Sequence, residues 1–265
     1  FARDGTAEMS FFLHGSTPGR FQLTEIVNMP YLVGSAEIGI KVLNDPELRA
    51  KYLDAEHRGT KVMFLFTHQP GSVHTTKKAI RNLDDFKGLK MRAPTRLTNK
   101  LLAKLGATPV GMPVPAVADA LSKGTIDGFL LPWEVIPGFK LQEMTKFHTE
   151  THPSKPAMYS ALFIFAMNQS RYDSLPAEAK TVIDRNSGAA LSKQIGKIWD
   201  ESQEVGRKTA QSRGNTIWVL SAAETEQWMK AAAPLRDEWF DEVGRRGLNG
   251  RQLLQDATDL LAKYK

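Results

Sequence analysis

The sequence predicts an α/β fold with neighbouring parallel strands, and three consecutive units between residues 86 and 132 carry that prediction. Gly88-Leu89-Lys90-Met91-Arg92-Ala93-Pro94 alternates apolar and basic residues up to a proline, the pattern of a strand that delivers one arginine to a loop. Residues 95–105 have helical spacing, with Leu97, Leu101, Leu102 and Leu105 on one face and Gly106 where a left-handed C-cap belongs. Thr108-Pro109-Val110 starts a second strand. Residues 115–123 read as a second helix with Pro115 in its first turn and Gly124 behind it, and residues 125–131 as a third strand. This order requires crossover helices and therefore a parallel sheet.

The other elements follow from the same signals. Met9 to Leu13 is a short apolar strand, and His14-Gly15-Ser16-Thr17-Pro18-Gly19 after it is a loop; loops at strand carboxyl ends are where open α/β sheets bind ligands. Residues 45–56 are helical with Pro46 at the first position, and residues 61–67 form a continuous apolar run, a strand buried on both faces. From His68 to Thr76 the composition turns to Gly, Pro, Ser, Thr and His, which reads as a crossing between domains. Residues 158–168 are β-prone. Residues 175–213 have helical periodicity with no proline after Pro176, and Gly188, Gly196 and Gly206 mark sites for a kink or a break. Residues 216–220 form a last strand, and the remainder from Ala222 is helical, interrupted at Pro234 and Gly247.

Composition narrows the function. The 265 residues are 42% hydrophobic, enough for real cores, and contain no cysteine, which excludes disulfides, thiolate metal sites and a cysteine nucleophile. The net charge of +6 arises from 35 basic residues interleaved with 29 acidic ones, without the basic stripe of a phosphate-tracking surface, so nucleic acid is not an expected partner. A mild positive excess suits attraction of small anions to a cleft. No apolar run approaches the roughly 20 residues of a membrane span. The six histidines lack zinc spacing; His148 and His152 are four apart, but Pro153 and the β-branched context predict a helix end and a loop there, and no metal or cofactor is expected. No serine-hydrolase, metalloprotease or nucleotide-binding motif is present.

Gly88-Leu89-Lys90-Met91-Arg92, Leu105-Gly106-Ala107-Thr108-Pro109-Val110 and Ala120-Leu121 through Gly124 to Ile126-Asp127-Gly128, in that order, resemble the solute-binding proteins of tripartite ATP-independent periplasmic (TRAP) transporters, of the dicarboxylate-receptor type. The resemblance extends to Gly5-Thr6-Ala7-Glu8-Met9, to Phe21-Gln22-Leu23 and Met29-Pro30-Tyr31, and downstream to Leu175-Pro176. It implies a two-domain, type II-like periplasmic-binding-protein-like fold, with a cleft between two mixed sheets and a long helix spanning both domains. Residues 1–70 and 157–200 would form the first domain, lacking the leading strand, helix and strand of the family; residues 71–156 and 201–265 would form the second. It implies further a periplasmic monomer that captures a small organic carboxylate, closes by hinge motion and delivers it to membrane permease subunits, without catalysis.

Arg92 matches the family's carboxylate-binding arginine, and a guanidinium fork suits a carboxylate at any physiological pH. Two departures shape the ligand expectation. Ser72 follows Gly71 where family members carry a second arginine, leaving His68 and His74 as candidate substitutes. Leu131 and Thr95 stand where asparagines are common, so ligand hydroxyls would go unpaired there, and an acid with few hydroxyls is expected. Trp133 either supplies an aromatic wall for an aromatic or branched acid or packs in the hinge core. Leu13, His14 and Tyr159 are further cleft candidates at strand ends, while Phe64, Phe163 and Phe165 read as core. The rival reading is an enzyme of the same fold acting on an organic acid, for which the histidines at 14, 68 and 74 lack an evident orienting partner.

Overall fold

Strands rich in apolar residues build the first of two sheets. The computed structural model describes residues 1–264, the side chains of residues 190, 192 and 193 excepted. Its strands are β1 (Met9–Leu13), β2 (Thr60–Thr67), β3 (Ser72–Thr75), β4 (Lys90–Ala93), β5 (Thr108–Gly111), β6 (Gly128–Leu131), β7 (Phe147–Glu150), β8 (Leu162–Asn168) and β9 (Thr216–Val219). The first sheet is antiparallel, in the order β1-β8-β2. A register shift between Val62 and Phe64 changes which side chains of β2 share a face. Phe64 and Phe66 turn toward helices Ala36–Leu43 and Ala189–Ser212, with Phe163 and Phe165 of β8 beside them. Val62 and Leu65 turn the other way, with Leu162, Ile164 and Ala166.

That second face is covered from the far end of the chain. Trp239 and Val243 of helix Pro234–Gly244, and Leu253, Ala257 and Leu261 of helix Gly250–Lys263, complete the core. The expected division assigned all of 201–265 to the second domain. These two helices instead pack on the first sheet, where their apolar seams join Leu23, Ile26, Val27, Leu48 and Leu53 in covering its apolar face.

The second sheet is mixed, in the order β5-β4-β6-β3-β7-β9. The parallel pairs β4/β5 and β4/β6 are those the sequence predicts. Two strands were not foreseen. Ser72–Thr75 lies inside the presumed crossing and pairs antiparallel with both β6 and β7, so the crossing itself is only residues 68–71. Phe147–Glu150 is a strand, not a helix end: Thr149 and its neighbours suit a pleated surface, and pairing with β3 and β9 decides the outcome. One face carries Val73, Met91, Ala93 and Leu130 under helices Arg96–Lys104 and Ala222–Ala232; the other carries Phe129 and Leu131 with Val117, Ile136 and Ala210.

The periodic stretch 175–213 is two helices, Ala177–Arg185 and Ala189–Ser212, separated where Gly188 takes a left-handed φ of +60°. Gly196 and Gly206 are not breaks. They are contact points, since a Cβ on Gly196 would lie 2.7 Å from Glu37 Cα and one on Gly206 2.0 Å from the Trp133 carbonyl oxygen. The 24-residue helix thus touches both halves: the Asp200 carboxylate accepts from Ala36 N–H and Glu37 N–H at 2.9 and 3.0 Å, while Ala210 enters the core of the second sheet.

Gly206→Ala tests which force dominates on this helix. Propensity alone favours alanine by about 1 kcal/mol, but overpacking against backbone costs roughly 1–3 kcal/mol. The expected outcome is a lower urea midpoint; a higher one would show that the helix backs away freely.

Candidate functional site

A cavity of about 1100 Å³ lies between the two sheets. The two-residue period of strands selects its lining: Phe11 and Leu13 alternate inward from β1, and Tyr159, Ala161 and Phe163 do so along the approach to β8 and into it. From the opposite side come Arg92 at the end of β4, Leu131 at the end of β6, and loop residues including Thr95, Met112, Val114 and Glu134. Trp199 reaches in from the long helix.

The first-domain wall is aromatic. Phe11 and Phe163 stack at 5.2 Å with planes 13° apart, Phe163 stacks on Phe66 at 5.4 Å, and Trp199 meets Phe66 edge-on at 5.2 Å. Phe11 remains 59% exposed, an unusual state for a phenylalanine stacked on another. Phe163, expected as core, is part of this wall. On the rim, Gly15 approaches Thr95 so closely that a Cβ would lie 2.3 Å from Thr95 Cγ2. Thr95 offers carbon there, because its hydroxyl caps helix Arg96–Lys104 by accepting from Thr98 N–H and bonding Thr98 Oγ1.

Arg92 is 1% exposed. Its Nε donates to the Met112 carbonyl and Nη1 to the Leu130 carbonyl, both at 2.9 Å, and Nη2 has no partner among the described residues. No described carboxylate pairs with it, and burial pushes the guanidinium down to about 10. Arg96, also on the lining, is spent on Glu25 at 3.0 Å and Glu242 at 2.6 Å. Four further buried polar atoms of the described lining lack partners: Tyr159 Oη, Glu134 Oε2, Trp199 Nε1 and the Nε of Arg96 itself. The Tyr159 ring lies flush against Gly71, where a Cβ would be 2.0 Å from it, and edge-on to His68. Burial raises the Glu134 carboxyl to about 8, so it is mostly protonated at neutral pH.

The histidines do not replace the missing second arginine. His68 Nε2 accepts from Ala161 N–H at 3.0 Å, so its proton sits on Nδ1 and is given to the Gln69 carbonyl. His74 is off the cavity altogether. Asn215 donates to His148 Nε2, His148 Nδ1–H to His74 Nδ1 at 2.7 Å, and His74 Nε2–H to the Leu131 carbonyl at 2.9 Å, a chain that fixes every tautomer. Burial holds His68 and His74 at about 4, so both are neutral.

Three other expected residues also face away. His14 points out of the cavity between the inward Leu13 and Gly15; since His57 Nδ1–H donates to the Leu53 carbonyl, His14 Nε2–H donates to His57 Nε2 at 2.9 Å. Ser72 lies in β3, outside the lining. Trp133 takes the hinge-core alternative, 1% exposed with Nε1–H donating to Glu150 Oε1 at 2.8 Å. Arg92, Thr95, Leu131, Leu13 and Tyr159 are brought together; Phe11, Phe163, Trp199 and Glu134 were missed. A smaller depression of about 480 Å³ beside β2 has two of its charged pairs closed, Arg49 with Asp54 and Lys61 with Asp184, and Arg58 also lines it.

Two sheets enclosing an aromatic cavity, with a cation that has no counter-ion among the described residues, define a binding protein for small organic anions. The chain belongs to the bacterial extracellular solute-binding proteins of family 7, with residues 2–242 matching the family, and among these to the TRAP solute-binding proteins. A TRAP solute-binding protein from Rhodoferax ferrireducens T118, in complex with copurified benzoate, is 41% identical with a TM-score of 0.96 over 99% of this chain and 81% of that one. A marine metagenome TRAP protein, specific for aromatic acid ligands and crystallised with 3-hydroxybenzoate, is 43% identical with a TM-score of 0.95 over 100% of this chain and 82% of that one. A Bordetella bronchiseptica TRAP protein with bound mandelate is 26% identical with a TM-score of 0.89 over 100% and 83%. No described helix is long and apolar enough to cross a membrane.

The raised carboxyl of Glu134 makes a signed prediction for the ligand-free protein. The folded state holds this proton to about 8 and the unfolded state to about 4.5, so ionisation costs stability progressively across that interval and the loss is complete above it. Tyr159, the titratable neighbour, is pushed upward by burial and stays neutral throughout. The stability advantage of Glu134→Gln over the parent should widen from pH 5 to pH 8 and then level off, as read from thermal midpoints; a constant difference would place the carboxyl in water.

Proposed function

We propose that this protein captures an aromatic or similarly apolar monocarboxylate in the periplasm and presents it to the membrane permease subunits of a TRAP transporter. The observation that carries the reading is the Arg92 guanidinium: 1% exposed, anchored by two carbonyls, with Nη2 unpaired beside stacked phenylalanines. A buried cation with no counter-ion is costly, and a ligand carboxylate removes that cost while gaining charge-assisted hydrogen bonds. The aromatic wall then favours a ring over a hydroxyl-rich chain, because hydroxyls buried against it go unpaired. Benzoate, 3-hydroxybenzoate and mandelate in the similar proteins support the same class.

A catalytic reading has one observation in its favour, the Glu134 carboxyl held near 8 inside the cavity. Among the described residues no second titrating group is hydrogen-bonded to it, so an oriented acid–base pair is lacking. Recovery of bound benzoate unchanged after prolonged incubation distinguishes the two readings; a new product by mass spectrometry would establish an enzyme.

A thermal-shift screen tests the binding reading directly. At one hundred times its dissociation constant a ligand adds about 2.7 kcal/mol to stability. Benzoate, phenylacetate and mandelate should raise the midpoint more than glucuronate does, and Arg92→Ala should remove the response, with affinity falling about 100-fold or more on loss of charge-assisted bonds. Stabilisation by sugar acids alone would sink the aromatic assignment.

A further inference from the structure

The cavity holds more unmet polar capacity than one carboxylate uses. Arg92 Nη2 faces it with two N–H donors, and Tyr159 Oη and Glu134 Oε2 are each buried without a hydrogen-bond partner. An unpartnered buried polar atom costs free energy, and native proteins retain few of them without a reason. The same cavity satisfies some of its polar groups internally: His68 is bonded through both ring nitrogens, Thr95 is spent on its cap, and Arg96 gives its terminal nitrogens to two glutamates. Arg96 Nε and Trp199 Nε1 are also unpartnered, but each can only donate; among the described lining residues, Tyr159 Oη and Glu134 Oε2 are the unpartnered atoms that can accept.

Their placement is fixed by the fold. Arg92 is the penultimate residue of β4, which pairs with β6 through Arg92 and Phe129, and Glu134 lies three residues beyond the last residue of β6, at the cap of the short helix Val135–Gly138. Tyr159 comes from the segment leading into β8, packs in the core of the second sheet and lines the same cavity as Arg92 and Glu134.

Resting on the aromatic-acid reading above, we propose that Glu134 and Tyr159 form a second polar subsite, which takes a hydroxyl on the ring or side chain of the acid whose carboxylate Arg92 holds. The chemistry selects a hydroxyl over other substituents. A second carboxylate would bring another negative charge to a cavity whose one unpaired cation, among the described residues, is already used. An ammonium would demand an ionised carboxylate at a position where burial favours the neutral acid. A hydroxyl is uncharged and both donates and accepts, as do a phenol and a protonated carboxyl. The volume of about 1100 Å³ leaves room beyond a single ring for such a group.

Calorimetric titration with benzoate, the three hydroxybenzoates, the three methylbenzoates and mandelate tests this. At least one hydroxylated acid should bind the parent protein about tenfold tighter than benzoate and than its methyl counterpart, the size of effect that one satisfied pair of buried groups gives. That preference ratio should collapse toward one in Glu134→Leu and in Tyr159→Phe, and persist in Glu134→Gln, which keeps a donor and an acceptor. If methylbenzoates bind as well as hydroxybenzoates, or if the ratio survives both Glu134→Leu and Tyr159→Phe, the subsite is refuted while the aromatic-acid reading stands. If the parent protein binds none of these acids, both fail. Should Glu134→Leu not fold, the Tyr159→Phe and Glu134→Gln pair decides alone.

Discussion

One unpaired charge organises this molecule. Arg92 is sequestered from water, yet among the described residues nothing negative accompanies it. Carbonyls of Met112 and Leu130, one just past β5 and the other within β6, hold the guanidinium at two points of its fork, so its position is set by the sheet and not by a flexible loop. A cation so placed interacts strongly with any anion that reaches it, since the surrounding carbon lowers the local dielectric. The strength of that attraction then depends on how fully the two sheets exclude water, which couples anion affinity to the apposition of the domains.

Around that charge the protein has spent several of its polar groups on geometry. Asn215, His148 and His74 form a tautomer-locked rod ending on the Leu131 carbonyl. Glu56 receives Leu23 N–H and Thr24 N–H, holding the segment after the first loop, and Arg96 ties Glu25 to Glu242 beside the cavity. The histidine rod is neutral, Arg96 is compensated by its two glutamates, and Glu56 lies outside the cavity lining. They position strand ends without adding a competing charge to the cavity.

Much of the fold was legible, for a physical reason: the β4-to-β6 stretch is built from local crossovers, whose helix spacing and glycine caps are written in contiguous residues. Ser72–Thr75 and Phe147–Glu150 were not legible, because their strand character is decided by partners some seventy residues away. The destination of the last two helices was hidden for the same reason. At the site, Arg92 and Leu131 followed from strand ends, but proximity to a strand end does not say which way a side chain points. The pleat turns Leu13 inward and His14 outward. Carrying the two-residue period back from Leu13 would have found Phe11, and carrying it forward from Tyr159 would have found Phe163. Trp199 had no such signal, since helix Ala189–Ser212 reaches the cavity only through tertiary packing.

That helix has a mechanical consequence. Gly196 seats it on Glu37 in one half and Gly206 seats it on the Trp133 carbonyl in the other, ten residues and nearly three turns apart. Notches this tight index the rod against sliding, since axial displacement would drive neighbouring side chains into backbone. Rotation of either half about the rod meets the same obstacle, because each glycine clears only one face of the helix. The two seats thus fix the helix against each half in both translation and rotation.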